Sequence, residues 1–257
     1  MKELQPKISV LIIVYNEITH IDDLINHLNF ADEIIVIDAF STDGTFEKLM
    51  TYPEVKTIQR KFLNFSDQRN FAIKQATKDW ILFIDADERI TPKLKDSILE
   101  GVKNKNNIIA FQFPRKFVFK NKIMRFSGLQ TDKVFRLFKN GSATYFQHKI
   151  VHEQLDVNGK EGVMRHYMLH YSFSGVNQYK NKIEHYAVLK AQELFKKGKK
   201  PNGYHYYIRP AYKFINNYIL RLGILDGKAG YIICKLNAYG VWFRYRELKR
   251  LALLPKL

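Results

Sequence analysis

A chain of 257 residues that is 46% hydrophobic can bury a sizeable core, and its single cysteine, Cys234, excludes an internal disulfide framework and fits a reducing compartment. The net charge of +17 is unevenly spread: positions 175–257 carry 17 Lys and Arg against 4 Asp and Glu, so +13 of it lies in the last third. No run reaches the roughly 18 to 20 apolar residues of a membrane-spanning helix, so a soluble, cytoplasmic globular protein is expected.

Ile8 to Val14 is a continuous β-branched run of the kind buried on both faces of a parallel sheet. Glu3 and Pro6 interrupt its approach and no small-residue cleavage site follows, so it reads as a first strand and not a signal peptide. Ile18 to Leu28 spaces Ile21, Leu24, Ile25 and Leu28 at helical intervals. "EIIVID" repeats the strand pattern, and a turn at Ser41 to Gly44 precedes a helix over Thr45 to Met50. Ser66 is the predicted N-cap of a helix over Asp67 to Ala76, and "WILFID" is a further strand. Strands alternating with helices predict βαβ units on a twisted parallel sheet, whose ligands bind at the carboxyl ends of the strands. Shorter strands follow from Ile108 to His170, and helices return over Val176 to Lys197. There is no internal repeat and no low-complexity segment.

"WILFIDADERI" ends an apolar strand with Asp85, Asp87 and Glu88. Side chains alternate along a strand, so Asp85 and Asp87 point to one side and Ala86 to the other, and two hard oxygen donors suit Mg²⁺ or Mn²⁺ shared with substrate phosphates. The plainer alternative is that these acids solvate a strand end or cap a helix opening near Thr91. The other strands also end in polar motifs: "IIVYNE", then "IVIDAFSTDGT", then "SDQRNFAI" ahead of "FIDAD".

In this order the motifs resemble glycosyltransferase family 2 with its GT-A fold, a mixed, Rossmann-like sheet flanked by helices; the likeness is close through Ile90. The later "VFRLFKNG", "VHEQL", "LHYSF" and "LDGKAG" are similar to a subgroup of lipopolysaccharide core β-1,4-glucosyltransferases. The resemblance implies a nucleotide diphosphate sugar, UDP-glucose favoured, with Val14, Tyr15 and Glu17 bordering base and ribose and Asp38 touching one of them, although "DAFSTDGT" also reads as a turn. Asp43 is open between the same two roles. Arg69 would meet ribose or phosphate, or else be a solvated helical arginine. Asp85 would touch ribose or metal-bound water, and Asp87 would ligate the metal.

On the acceptor side the resemblance makes Glu153 of "VHEQL" the general base and lets His152 orient acceptor or loop. "HEQLD" is not a zinc-protease motif, since Asp156 stands where a second histidine is needed. His170 is implied as a further metal or diphosphate contact, and Arg136 as a diphosphate or acceptor contact. Inversion then gives a β-linked sugar. The chain lacks a Gln-x-x-Arg-Trp signature, so one transfer per glycan or lipid-linked acceptor is expected, in lipopolysaccharide core or related cell-envelope synthesis.

The expected organisation is a catalytic domain over 1–174 and a helical extension over 175–257. The extension interleaves cations with eleven aromatics between Tyr204 and Tyr245, which fits an anionic membrane surface at the inner face of the cytoplasmic membrane. A nucleic-acid binder would share those features but leaves the acidic strand ends unexplained. A nucleotidyltransferase commonly carries a Gly-rich loop after its first strand, and "VYNEITH" has no glycine. A catalytically silent scaffold is opposed by the intact "DAD" and "HE".

Overall fold

The computed structural model describes residues 5–103, 106–146, 155–173 and 175–253. His152 and Glu153 lie outside them. The chain forms two compact units, one from Met1–Arg115 with Lys133–His170, the other from Lys116–Asp132 with Tyr171–Leu257.

The first unit opens with β1 (Ile8–Val14), α1 (Ile18–Asn26), β2 (Glu33–Asp38), α2 (Thr45–Leu49), β3 (Val55–Gln59), α3 (Phe65–Gln75) and β4 (Trp80–Phe83). β1 pairs in parallel with β2 from Ser9↔Glu33 to Val14↔Asp38, and with β4 from Ile8↔Trp80 to Leu11↔Phe83. β3 adds in parallel outside β2. The unbroken apolar runs follow from this, because both faces of the central strands are covered. Val10, Ile12 and Leu82 pack with Ile21 and Leu24 of α1, whereas Leu11, Ile35 and Phe83 pack with Ala72 of α3.

Beyond β4 come β5 (Glu88–Ile90), α4 (Pro92–Gly101), β6 (Ile108–Phe119), β7 (Lys122–Ile123), β8 (Lys133–Lys139), β9 (Ala143–Tyr145), β10 (Leu155–Val157), β11 (Lys160–Val163) and β12 (Met168–Phe173). β8 runs antiparallel to β4 and β6 antiparallel to β8, so the parallel half continues into an antiparallel one. β5 pairs antiparallel with β12, which sets His170 opposite Glu88.

Two local expectations are corrected. Asn64, not Ser66, caps α3: its extended backbone lets its side-chain oxygen accept the Asp67 N–H at 2.9 Å, and Ser66 lies buried within the first turn. The acidic stretch is not a continuing strand either. β4 stops at Phe83, and a turn follows in which the Glu88 N–H donates to the Asp85 carbonyl at 2.9 Å. Strand alternation therefore does not orient Asp85 and Asp87. Thr91 caps α4 as its position suggests, accepting from the Leu94 N–H at 3.3 Å with Pro92 in the first turn.

The second unit contains the β6–β7 hairpin end, α5 (Val176–Lys196), α6 (Arg209–Ile215) and α7 (Gly227–Leu253). α6 widens into π-helical turns over Tyr204–Ile208 and Asn216–Leu220. Phe119 and Met124 of the hairpin pack with Tyr179 of α5 and Ile233 of α7. "LDGKAG" has a structural use here. The buried Asp226 carboxylate accepts the Arg125 and Phe126 N–H groups at 3.0 Å each and the Ser127 hydroxyl at 2.7 Å. A Cβ on Gly230 would stand 2.1 Å from the Gly223 carbonyl oxygen, so only glycine permits that approach.

Candidate active site

The carboxyl ends of β1 and β2 are laced together by the side chains of their loops. Asn16 takes a left-handed backbone (φ 57°), donates its N–H to the Ser41 hydroxyl at 2.9 Å and accepts the Thr42 N–H at 2.8 Å. The Glu17 N–H donates to the Thr45 hydroxyl at 2.9 Å, and Asp43 accepts the Ile18 and Thr45 N–H groups at 3.2 and 3.0 Å. Asp43 is thus a loop brace. Asp38 is fully buried, and its carboxylate accepts from the Ser41 N–H at 3.1 Å, the Ser41 hydroxyl at 2.5 Å and the Gln59 amide at 3.1 Å. Along this rim Val14 is buried, Glu17 half-buried and Tyr15 58% exposed.

After β4, two arginines grip the first acid of the turn. Asp85 accepts from Arg69 Nη2 at 2.8 Å and pairs with Arg136 Nη2 through its other oxygen. Arg69 is buried on α3, its guanidinium 5.1 Å from the Phe83 ring centre and 5.4 Å from that of Tyr145, which removes the solvated-arginine alternative. Tyr145 is itself fixed by reciprocal bonds between its backbone and the Asn70 amide at 2.8 and 2.9 Å.

Arg136 Nη2 also donates to Glu88 Oε1 at 2.7 Å, where Arg115 Nη1 arrives at 3.3 Å. Glu88 Oε2 returns to the turn by accepting the Asp85 N–H at 3.1 Å. Arg89 closes the turn from below, donating to the Ala86 and Glu88 carbonyls at 2.7 and 2.8 Å and pairing with Asp23. Glu88, Arg89 and Arg115 had no role in the sequence reading. The adjacency of Glu88 and Arg89 to Asp87 was a signal; Arg115, within "FPRKF", gave none.

The second acid of the turn has a different neighbour. Asp87 Oδ2 lies 3.1 Å from His170 Nε2. This is hydrogen-bond distance, and it is also close to the roughly 3.0 Å between cis ligands on bonds of about 2.1 Å to an octahedral ion, so the pair could offer two ligands to one divalent cation; among the described residues no third His, Cys, Asp or Glu joins them.

The electrostatics separate the acids. Burial pushes the Asp85 carboxyl up, but Arg136 and Arg69 outweigh it and hold the group well below the usual carboxylate range. Arg136 is opposed by its own burial and pushed up by Asp85 and Glu88. Glu17 is pushed up to about 7, first by burial and then by the fields of Asp87, Asp43 and Asp85. Folded Glu17 thus keeps its proton up to about 7, against 4.5 ordinarily, so within that window the folded state binds more protons than the unfolded one. Stability from this source falls as pH rises. Glu17→Gln should therefore gain stability relative to the wild type as pH climbs through the window, read as a pH-dependent difference between their thermal midpoints; a constant difference would mean that burial and the neighbouring acids do not push the Glu17 carboxyl up.

A parallel βαβ half whose strand ends converge on a braced acidic turn, continued by antiparallel strands and a helical C-terminal region, defines a glycosyltransferase of GT-A architecture. Residues 9–170 match Glycosyl transferase family 2, and the chain belongs to that family. An uncharacterized glycosyltransferase of Rickettsia bellii is 30% identical over 268 residues, covering 97% of this chain and 88% of the relative. The lipopolysaccharide core biosynthesis glycosyltransferase LpsC of Rhizobium meliloti is 24% identical over 250 residues, covering 93% of each. Among solved structures, the mannosyltransferase PcManGT of Pyrobaculum calidifontis, in complex with GDP-Man and Mn²⁺, superposes with a TM-score of 0.50 at 14% identity, over 99% of this chain and 77% of its own. At that identity the likeness shows the fold.

Proposed function

We propose that this enzyme moves one sugar, glucose favoured, from a nucleotide diphosphate sugar to a glycan or lipid-linked glycan acceptor, with a divalent cation and with inversion. The observation that carries this reading is the Asp87–His170 pair, 3.1 Å apart beside the arginine-braced Asp85. The LpsC relative supports a place in lipopolysaccharide core or related envelope synthesis.

In this reading Val14, Tyr15 and Glu17 border base and ribose and Asp38 contacts one of them, its carboxylate also holding Ser41 of the adjoining loop. Asp87 and His170 would hold Mg²⁺ or Mn²⁺, which when bound supplies neutralisation of charge on the departing diphosphate. Asp85, kept ionised by Arg69 and Arg136, touches ribose or metal-bound water, while Arg69 meets ribose or phosphate and Arg136 diphosphate or acceptor. Glu153 takes the acceptor hydroxyl's proton as the acceptor oxygen bonds to the anomeric carbon and the bond from that carbon to the diphosphate oxygen breaks. His152 orients the acceptor. Attack from the face opposite the leaving group inverts the centre.

Thermal unfolding against a panel of nucleotide sugars, with Mn²⁺ and with chelator, tests the reading. A donor at a hundred times its Kd adds about 2.7 kcal/mol of stability, so the true donor should raise the midpoint by several degrees, UDP-glucose being the expected one, and chelator should reduce the rise. No response to any nucleotide sugar would overturn it.

A further inference from the structure

The second unit carries an apolar stripe that its own core does not cover. Ile208, Tyr212, Ile215 and Ile219 recur at spacings of four, three and four residues along the helical stretch through α6, Leu222 follows in a left-handed turn just past its end, and all five are at least 46% exposed. A stripe of that period ordinarily marks the face a helix buries. Large contiguous apolar patches are rare on solvated surfaces, and Tyr207 at 75% and Leu220 at 67% exposure widen this one.

Its charges are of one sign. Tyr204 to Leu225 contains Arg209, Lys213 and Arg221 and no acid. The only acids from position 204 to 253 are Asp226 and Glu247. Asp226 is occupied by the Arg125, Phe126 and Ser127 groups described above, and Glu247 by Arg250 at 2.7 Å and Arg246 at 3.3 Å. Among the described residues, no carboxylate pairs with Arg209, Lys213, Arg221 or Arg244. Burial depresses the Lys213 ammonium, and the cations of Arg221 and Arg244 depress it further; Arg244 is lowered by burial and by Arg209. These cations repel one another, with no carboxylate against them among the described residues.

We propose that the stripe from Tyr204 to Leu225 docks on an anionic phospholipid bilayer, its apolar side chains entering the boundary between headgroups and acyl chains while Arg209, Lys213, Arg221 and Arg244 bind lipid phosphates. Aromatic and aliphatic side chains rimmed by cations are the composition of an interfacial helix. No helix among the described residues is long and apolar enough to cross a membrane, so the segment lies on the surface. A second copy of this chain fits poorly, since a self-complementary interface would bring the same cations face to face. Nucleic acid would satisfy the cations but leave Ile208, Ile215, Ile219 and Leu222 in water. The inference goes beyond the proposed transfer and does not depend on it, and the readout below is binding rather than catalysis.

Cosedimentation of the full chain with phosphatidylcholine vesicles and with mixed phosphatidylcholine–phosphatidylglycerol vesicles decides it. The chain should pellet with the mixed vesicles only, and moderate salt should release it. Lys213→Gln with Arg221→Gln should weaken partitioning about five-fold for each cation removed. Ile208→Ser with Ile219→Ser should weaken it roughly ten-fold or more, since the apolar area no longer leaves water. Circular dichroism and unfolding midpoints check that the variants fold; Tyr212→Ser replaces the isoleucine pair if they do not. Equal pelleting with both vesicles, pelleting with neither, or a stripe variant that binds like the wild type would each overturn the proposal. So would a salt-sensitive complex with single-stranded nucleic acid in place of vesicles, or a dimer in sedimentation that the stripe variant dissolves.

Discussion

Asp87→Ala should reduce metal-dependent sugar transfer by roughly a thousand-fold or more, because a divalent ion contributes several kcal/mol of charge stabilisation to a departing diphosphate. The fold should survive. The turn that presents Asp87 is held by the Glu88 N–H on the Asp85 carbonyl and by Arg89 on the Ala86 and Glu88 carbonyls, none of which involves the Asp87 side chain. Turnover across a Mn²⁺ titration, beside the unfolding midpoint without metal, separates the two effects. Full activity of the variant at saturating Mn²⁺ would remove Asp87 from the metal site. A large fall in the metal-free midpoint would mean that the Asp87–His170 contact, not metal, is its contribution.

Asp85 is the poorer residue on which to test the same chemistry, although the sequence presents the two acids as equals. Its carboxylate balances Arg69 and Arg136, both less than a tenth exposed. Truncating Asp85 takes a carboxylate from Arg69 and leaves Arg136 with Glu88 alone, and breaking such a buried pair typically costs about 3–5 kcal/mol. Loss of activity at Asp85 would therefore mix loss of a substrate contact with collapse of the brace. The Asp87 carboxylate, by contrast, pairs with the imidazole of His170 and with neither Arg69 nor Arg136, which Asp85 holds, so its substitution leaves the arginine brace in place.

The parallel half was legible because its cause is local: strands covered on both faces are apolar along their middles, and β1 apart from Ser9, β2 between Glu33 and Asp38, and all of β4 are. The acids at their ends were legible for the same reason, since polar residues stand out where such a run stops. How those acids point was not. The turn after Phe83 is set by Arg89, Glu88 and the β5–β12 pairing that brings His170 across from Glu88, and no spacing in "FIDADER" encodes that. Arg115 and Arg136 reach Glu88 from 27 and 48 residues away, so the brace exists only once β6 and β8 are in the sheet. In the second unit, the composition shift near position 175 marks the basic helices. It says nothing of the 116–132 segment that folds with them, because that link rests on Asp226 accepting backbone N–H groups about a hundred residues earlier. The stripe on α6 has a helical period that is easily read, but whether such a stripe is buried or bare is a property of the packed unit alone.

Glu153→Gln is expected to leave donor binding intact and to lower the rate at saturation by about 10² to 10⁴-fold, the usual contribution of a positioned general base. Glutamine keeps the size and hydrogen-bonding shape of the side chain but cannot accept the acceptor's proton as the new glycosidic bond forms. A base acts only as that bond forms, so its loss should appear in kcat, with KM for the donor and the donor-induced rise in unfolding midpoint unchanged. The pH profile supplies an independent sign. With Glu153 in place, kcat should fall on the acid side as the carboxylate takes up a proton, and in Glu153→Gln that limb should disappear from the residual rate. Product from the wild type should carry the β anomeric coupling that inversion requires. A variant that lost donor affinity while keeping its saturated rate would make Glu153 a binding residue, and an α-linked product would exclude the single displacement in which a base on the acceptor side has its role.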